Sequence, residues 1–288
     1  CGNYGDPAFA NDCLEIYSYV RECNSTVRLA IHTNGGMRNP AWWTKLAQYN
    51  IEIIFAVDGF KGKHELYRKN TKFDKVIENL KAYCAAGGNA RVDSLVFAHN
   101  EHEVDELEKY LLDLGVQSVN FVSTTRFYEM KEFEVQDNNG NVEYTLKPAQ
   151  TEKFKRTPNK SLNTLTDETA RNIAIDAVII EPKCVTEQGI YVDPYGDIFP
   201  CCWFGGDYLE QPIEEKLPIH YLRNLSVENT KQVLKEVGVP NCQEGVLDST
   251  INLFKKLPEF WQGKNKCLTC ARQCSKLVYD DNNKYSVG

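Results

Sequence analysis

The sequence predicts an α/β protein that continues into a small, cysteine-rich α+β module, and three observations carry that reading. Helical and strand-like periodicities alternate over the first 125 residues. That rhythm breaks near residue 125, where hairpin and linker patterns take over. Seven of the eleven cysteines then fall after residue 180.

Taken in order, Cys13, Ile16, Tyr17 and Val20 recur at helical spacing, and the run Val27–His32 reads as a strand. Pro40 opens a helix bearing Trp42, Trp43 and Leu46, since proline suits the first helical turn. Ile51–Val57 is an apolar, β-branched run of the kind buried in parallel sheets. Phe73, Val76, Ile77, Leu80 and Tyr83 mark a helix that Gly87 and Gly88 end. A strand over Val92–Ala98, a helix through Val104, Leu107, Leu111 and Leu114, and a strand over Ser118–Val122 follow. Such alternation implies parallel strands with right-handed crossovers, in an open sheet or a barrel.

Beyond residue 125, Phe133–Val135 and Val142–Leu146 flank an Asn-Asn-Gly-Asn turn and predict a hairpin. Residues 148–172 are polar and read as a linker. Ile190–Val192 and Asp197–Pro200 predict a second hairpin around Asp193-Pro194-Tyr195-Gly196. Ser226 is placed to cap a helix reaching Val237, and Asp248 another reaching Phe260. The organisation expected is 1–125, an α/β core; 126–180, hairpin and linker; 181–288, the cysteine-rich domain.

The net charge of −7 shows no basic face for nucleic acid or for a membrane surface, and neither is expected as a partner. An odd count of unevenly placed cysteines argues against a secreted disulfide framework. It favours a metal or cluster site in the reducing cytoplasm. Five histidines form no HxxxH or HExxH pair, which removes a histidine metal site from consideration. Cys13, Cys23 and Cys84 read as plain thiols of the α/β core, and Cys242 as a loop thiol.

The strongest chemical signal is C-terminal. Cys267-x2-Cys270-x3-Cys274 sets three thiols within eight residues, and Cys184-x11-Gly196-x4-Cys201 spans the second hairpin. Soft thiolates converging from tight turns suit either a Zn(Cys)4 site or a 4Fe–4S cluster, and spacing does not separate the two. With zinc, the chain would be a non-catalytic binding or scaffold protein with a structural zinc module.

This cysteine pattern resembles the auxiliary-cluster region of the SPASM/Twitch branch of the radical S-adenosylmethionine (SAM) superfamily, in its shorter, single-cluster form. The N-terminal half resembles the same superfamily. Gly2-Asn3-Tyr4-Gly5-Asp6-Pro7 is similar to its GGEP turn, with Asp6 in place of Glu. Thr33-Asn34-Gly35 matches the end of its third strand, and Asp58-Gly59 followed by His64-x3-Arg68 that of its fourth, with Ala56 where a Ser is usual. Asn100 stands where the fifth strand ends.

The resemblance implies a partial (β/α)6 TIM-like barrel lacking its first βα unit, with SAM contacted by Gly5, Asp6, Pro7, Thr33, Asn34, Asp58, Arg68 and Asn100. It implies an auxiliary 4Fe–4S cluster drawn from Cys184, Cys201, Cys202, Cys267, Cys270 and Cys274, the choice between Cys201 and Cys202 staying open. Trp203 and Phe204 would shield that cluster. The CxxxCxxC of the catalytic cluster is expected only in the intact protein, upstream of Cys1, so this chain alone would not cleave SAM. The intact enzyme would form a 5′-deoxyadenosyl radical that abstracts hydrogen from a small molecule or peptide. A flavodoxin or ferredoxin would supply electrons. No catalytic residue is singled out. A cluster-bearing electron-transfer subunit derived from such an enzyme is a third possibility.

Overall fold

The computed structural model describes residues 5–124, 127, 132–155, 178–186, 189–193, 195–209, 218–242, 246–262 and 266–276. The expected Gly2-Asn3-Tyr4 part of the first turn, Pro194 and the linker beyond residue 155 lie outside these residues. The chain divides into two units, 1–157 and 158–288, so the first hairpin belongs with the α/β core.

The first unit alternates as the apolar periodicity predicts. A single 3-10 turn, Pro7–Phe9, precedes α1 (Cys13–Cys23), β1 (Ala30–Thr33), α2 (Pro40–Ala47) and β2 (Glu52–Ala56). There follow α3 (His64–Tyr67), α4 (Phe73–Ala85), β3 (Asn89–Val96), α5 (Val104–Asp113) and β4 (Ser118–Ser123). The four strands are parallel and lie in chain order β1-β2-β3-β4. These four strands contain no switch point of the kind at which a doubly wound sheet reverses.

One sheet face is covered. Ile31, Ile53, Phe55, Val57, Ala90 and Val92 pack with Trp43, Leu46, Val76, Leu80, Tyr83, Leu107 and Leu111 in one core. At about 25 cal/mol per Å2 of apolar surface, each such fully buried side chain stabilises the fold by roughly 1.5–3 kcal/mol. Tyr83 is fully buried and its hydroxyl donates to the Ile51 carbonyl, which satisfies the polar tip.

Two strands differ from expectation, for local reasons. β1 starts at Ala30 instead of Val27, because the Arg21 guanidinium takes the Ser25 and Val27 carbonyls at 3.1 and 2.5 Å. β3 ends at Val96 instead of Ala98, because Asn100 Oδ1 accepts the Phe97 N–H at 2.7 Å and its Nδ2 donates to the Leu95 carbonyl at 2.9 Å.

Gly35 follows β1 with φ +68, a left-handed conformation that favours glycine. A Cβ there would stand 2.8 Å from Phe55 Cδ1 and 3.1 Å from Val76 Cγ1. Gly35→Ala is therefore expected to destabilise the first unit by about 1–3 kcal/mol, readable as a lower urea midpoint. An unchanged midpoint would show that Phe55 yields without cost.

The hairpin β5 (Phe133–Gln136) and β6 (Val142–Leu146) forms where expected, with a bulge between Val135 and Gln136.

The second unit holds β7 (Ile179–Ile180), α6 (Lys183–Thr186), the hairpin β8 (Tyr191–Val192) and β9 (Ile198–Phe199), and α7 (Cys202–Leu209). Next come α8 (Pro218–Val237), α9 (Val246–Lys256), α10 (Leu268–Gln273) and β10 (Ser275–Lys276). Ser226 lies inside α8 and not at its start; the helix begins at Pro218, a favoured first-turn residue. Asp248 sits in the first turn of α9, and a 3-10 turn over Leu257–Phe260 takes the chain beyond that helix. Val178, Tyr191, Phe199, Phe204, Val233, Leu253, Cys267 and Cys270 share the core. Among the described residues no helix is long and apolar enough to cross a membrane.

Candidate functional site

Two constellations hold the residues the sequence singles out, one in each unit.

In the first unit they gather at the carboxyl ends of the parallel strands, the end where α/β proteins place their sites. Asp6 caps the first 3-10 turn by accepting from Ala8 N at 3.0 Å. The same carboxylate accepts from the Thr33 hydroxyl at 2.8 and 3.0 Å and from Asn34 N at 2.8 Å. Residues 27 apart in sequence are thus tied to one carboxylate at the end of β1. Asn34 turns inward, its Oδ1 accepting from Gly36 N at 2.8 Å. Arg38 braces the same turn: its guanidinium donates to the Ala8, Phe9 and Ala10 carbonyls at 2.7, 3.2 and 2.8 Å. No signal short of the fold would have disclosed Arg38.

The end of β2 is organised by Asp58, which is 0% exposed. Its Oδ2 accepts from Arg68 Nε at 2.6 Å and its Oδ1 from Leu95 N at 2.6 Å. His64 is buried behind it. The Asp58 N–H donates to His64 Nδ1 at 3.2 Å, so the proton sits on Nε2, which donates to Thr71 Oγ1 at 2.9 Å. The Thr71 hydroxyl in turn donates to the Arg68 carbonyl at 2.9 Å. Burial pushes the His64 imidazolium below its ordinary range, which agrees with this neutral tautomer. Asn100, also buried, donates to the Asp58 carbonyl at 3.2 Å.

The structure thus brings Asp6, Thr33 and Asn34 into one group, and Asp58, Arg68 and Asn100 into a second. Gly5 and Pro7 flank the first group. Of the rim histidines, His32 is exposed and His99 stacks on Phe97 with ring centroids 5.2 Å apart.

In the second unit, antiparallel pairing of β7 with β10 sets Cys274 beside the segment leading to Cys184, with Glu181 N donating to the Cys274 carbonyl at 2.6 Å. Cys267 caps α10, its sulfur accepting from Cys270 N at 3.5 Å. The Cys270 thiol donates to Cys267, which holds Cys267 low, and that shared proton together with burial raises Cys270. Burial pushes Cys201 up to about 12 and raises Cys184. Cys184 feels the charges of Cys274 and Cys267, and Cys270 those of Cys201 and Cys184. Cys201, Cys202 and Cys274 pack against the apolar core that contains Cys267 and Cys270.

Among the described residues, however, no three of the cysteines, histidines or carboxylates close around a common point as metal ligands. The donor set itself fits a thiolate metal centre: all soft sulfur, largely buried, and with thiols whose raised proton affinity a bound cation would relieve. Cys202 is half-buried at the start of α7, and Cys242 is exposed. Phe204 is fully buried beside the cysteines, whereas Trp203 is 57% exposed.

No family model and no curated protein matches the sequence. Several solved structures show similarity. SuiB of Streptococcus suis bound to S-adenosylmethionine is 13% identical, with a TM-score of 0.42, over 75% of this chain and 52% of that chain. The hexahistidine-tagged anSMEcpe with bound AdoMet is 13% identical, with a TM-score of 0.43, over 88% and 78%. The native anSMEcpe with bound AdoMet and Kp18Cys peptide is 14% identical, with a TM-score of 0.40, over 88% and 82%. The chain spans about half the length of SuiB. At these TM-scores the likeness by itself establishes no activity.

Proposed function

We propose that the chain is part of a radical SAM enzyme of the SPASM/Twitch kind, its first unit a segment of a (β/α)6 barrel that helps bind SAM and its second an iron–sulfur domain. The observation that carries this reading is that Cys201, Cys202 and Cys274 pack on the core that holds Cys267 and Cys270, in a chain whose parallel strands hold the matching polar residues at their ends in sequence order. When bound, SAM and a catalytic cluster would supply a 5′-deoxyadenosyl radical for hydrogen abstraction from a peptide or small molecule.

The chain's own residues would orient SAM. Backbone carbonyls of the turn through Gly5, Asp6 and Pro7 would accept from its ammonium, a turn held in place by Asp6 and Arg38. Arg68, anchored through Nε on Asp58, would present the rest of its fork to a carboxylate. Asn100 and Thr33 would keep the strand ends in register beneath the ligand. Four thiolates drawn from Cys184, Cys201 or Cys202, Cys267, Cys270 and Cys274 would ligate an auxiliary cluster, shielded on one side by Phe204.

Anaerobic reconstitution of the full chain with ferrous iron and sulfide tests the reading. Brown protein carrying near-stoichiometric iron and acid-labile sulfide is the expected result, together with SAM binding measured by calorimetry. Colourless protein holding a single zinc would overturn it and favour the scaffold reading.

A further inference from the structure

Beside the cysteines stands a buried carboxylate that the proposed chemistry does not use. Asp207, on α7, is 9% exposed. Its Oδ2 accepts the hydroxyl proton of Thr269, which lies between Cys267 and Cys270. Thr269 has donated its proton, so its oxygen accepts from the Thr230 hydroxyl of α8 at 2.9 Å. Thr230 and Thr269 are 0% and 2% exposed. Among the described residues no salt bridge reaches Asp207, although a buried acid ordinarily has a cationic partner.

Hydroxyls alone would satisfy Thr230 and Thr269, so the acid adds a charge as well as an acceptor. That charge stands at the knuckle, one hydrogen bond from Thr269 between Cys267 and Cys270. A fixed negative charge near a thiolate-bound cluster opposes the arrival of an electron, and nearby charge is one of the terms that set cluster potentials.

We propose that Asp207 is a positioning and tuning residue of the auxiliary centre: through Thr269 it fixes the Cys267–Cys270 knuckle, and its charge lowers the reduction potential of the cluster those thiols hold. This inference rests on the iron–sulfur reading and goes beyond it, because neither the cysteine spacing nor the SAM rim requires an acid at residue 207.

The test uses the full chain reconstituted with ferrous iron and sulfide, as wild type, Asp207→Asn and Asp207→Glu. Asparagine keeps an acceptor for Thr269 but removes the charge; glutamate keeps the charge. Redox titration followed by electron paramagnetic resonance reads the potential, and iron content reads loading separately. With Asp207→Asn the reduced:oxidised ratio at fixed ambient potential is expected to rise about tenfold, or about 59 mV for a one-electron couple. Asp207→Glu is expected to stay within about twofold of wild type.

Loaded Asp207→Asn with an unchanged potential would overturn the tuning role and leave the cluster reading intact. A shift in Asp207→Glu as large as in Asp207→Asn would do the same, by showing that shape and not charge matters. Should Asp207→Asn fail to load while Asp207→Glu loads at the wild-type potential, the proposal stands; failure of both variants to load would overturn it. Failure of the wild type to load overturns the iron–sulfur reading and the inference with it.

Discussion

Replacing Cys270 by serine is expected to strip the second unit of its metal. The thiol is 8% exposed, shares a proton with Cys267 and lies within electrostatic reach of Cys201 and Cys184. A hydroxyl is a hard, weakly acidic donor and replaces a soft thiolate poorly. Losing an outer-shell partner commonly costs 10–100-fold in metal affinity, and losing a ligand costs more, so bound iron should fall at least about tenfold. Cys242→Ser is the control, since that thiol is exposed in a loop. Iron and sulfide analysis after identical reconstitution reads both variants. Equal loading of Cys270→Ser and wild type would exclude Cys270 from the ligand set; loss of iron from Cys242→Ser would show that exposure misjudges the site.

The second large effect is expected in the first unit. Arg68→Ala leaves the Asp58 carboxylate fully buried with only the Leu95 N–H to oppose its charge. Removing one member of a buried pair typically costs about 3–5 kcal/mol, because the remaining charge has neither solvent nor partner. The Arg68 side chain is 26% exposed, so water can enter where the guanidinium stood, which points to the lower end of that range. At roughly 2–4 °C per kcal/mol for a unit of this size, the melting temperature should drop by about 6–12 °C. Arg68→Lys restores charge without the planar fork and should recover part of the stability but little SAM affinity. Thermal denaturation and SAM calorimetry separate the two effects. A melting temperature unmoved by Arg68→Ala would mean that Asp58 is held by its backbone donors alone.

Much of the fold was legible because its signals are local. Apolar periodicity located the α/β elements from α1 to β4 except the short α3, and the Asn-Asn-Gly-Asn turn located the β5–β6 hairpin. Boundaries slipped where a side chain overrode the pattern, as Arg21 does before β1 and Asn100 after β3. Ser226 misled for the opposite reason: a good capping residue is silent when the helix has already begun at Pro218. The site was legible as a set of residue types but not as a set of partners. Asp6 and Thr33 were each marked by motif, while their mutual hydrogen bond depends on a turn and a strand 27 residues apart. Asp207 carried no signal, being one acid in an apolar helix, and its meaning arises only when Thr269 is folded against it.

Asn229 of α8 grips the knuckle from both sides of Cys267, its Oδ1 accepting from Leu268 N at 2.8 Å and its Nδ2 donating to the Lys266 carbonyl at 3.4 Å. With Thr230 and Thr269 beside it, this backbone is held by hydrogen bonds that involve no cysteine sulfur. Small zinc fingers, in contrast, spend their binding free energy on folding. Hydrogen bonds of this kind would remove chain entropy during folding, so loading and folding are expected to be separable events. A chelator should therefore empty the site while leaving its scaffold standing, ready to be refilled.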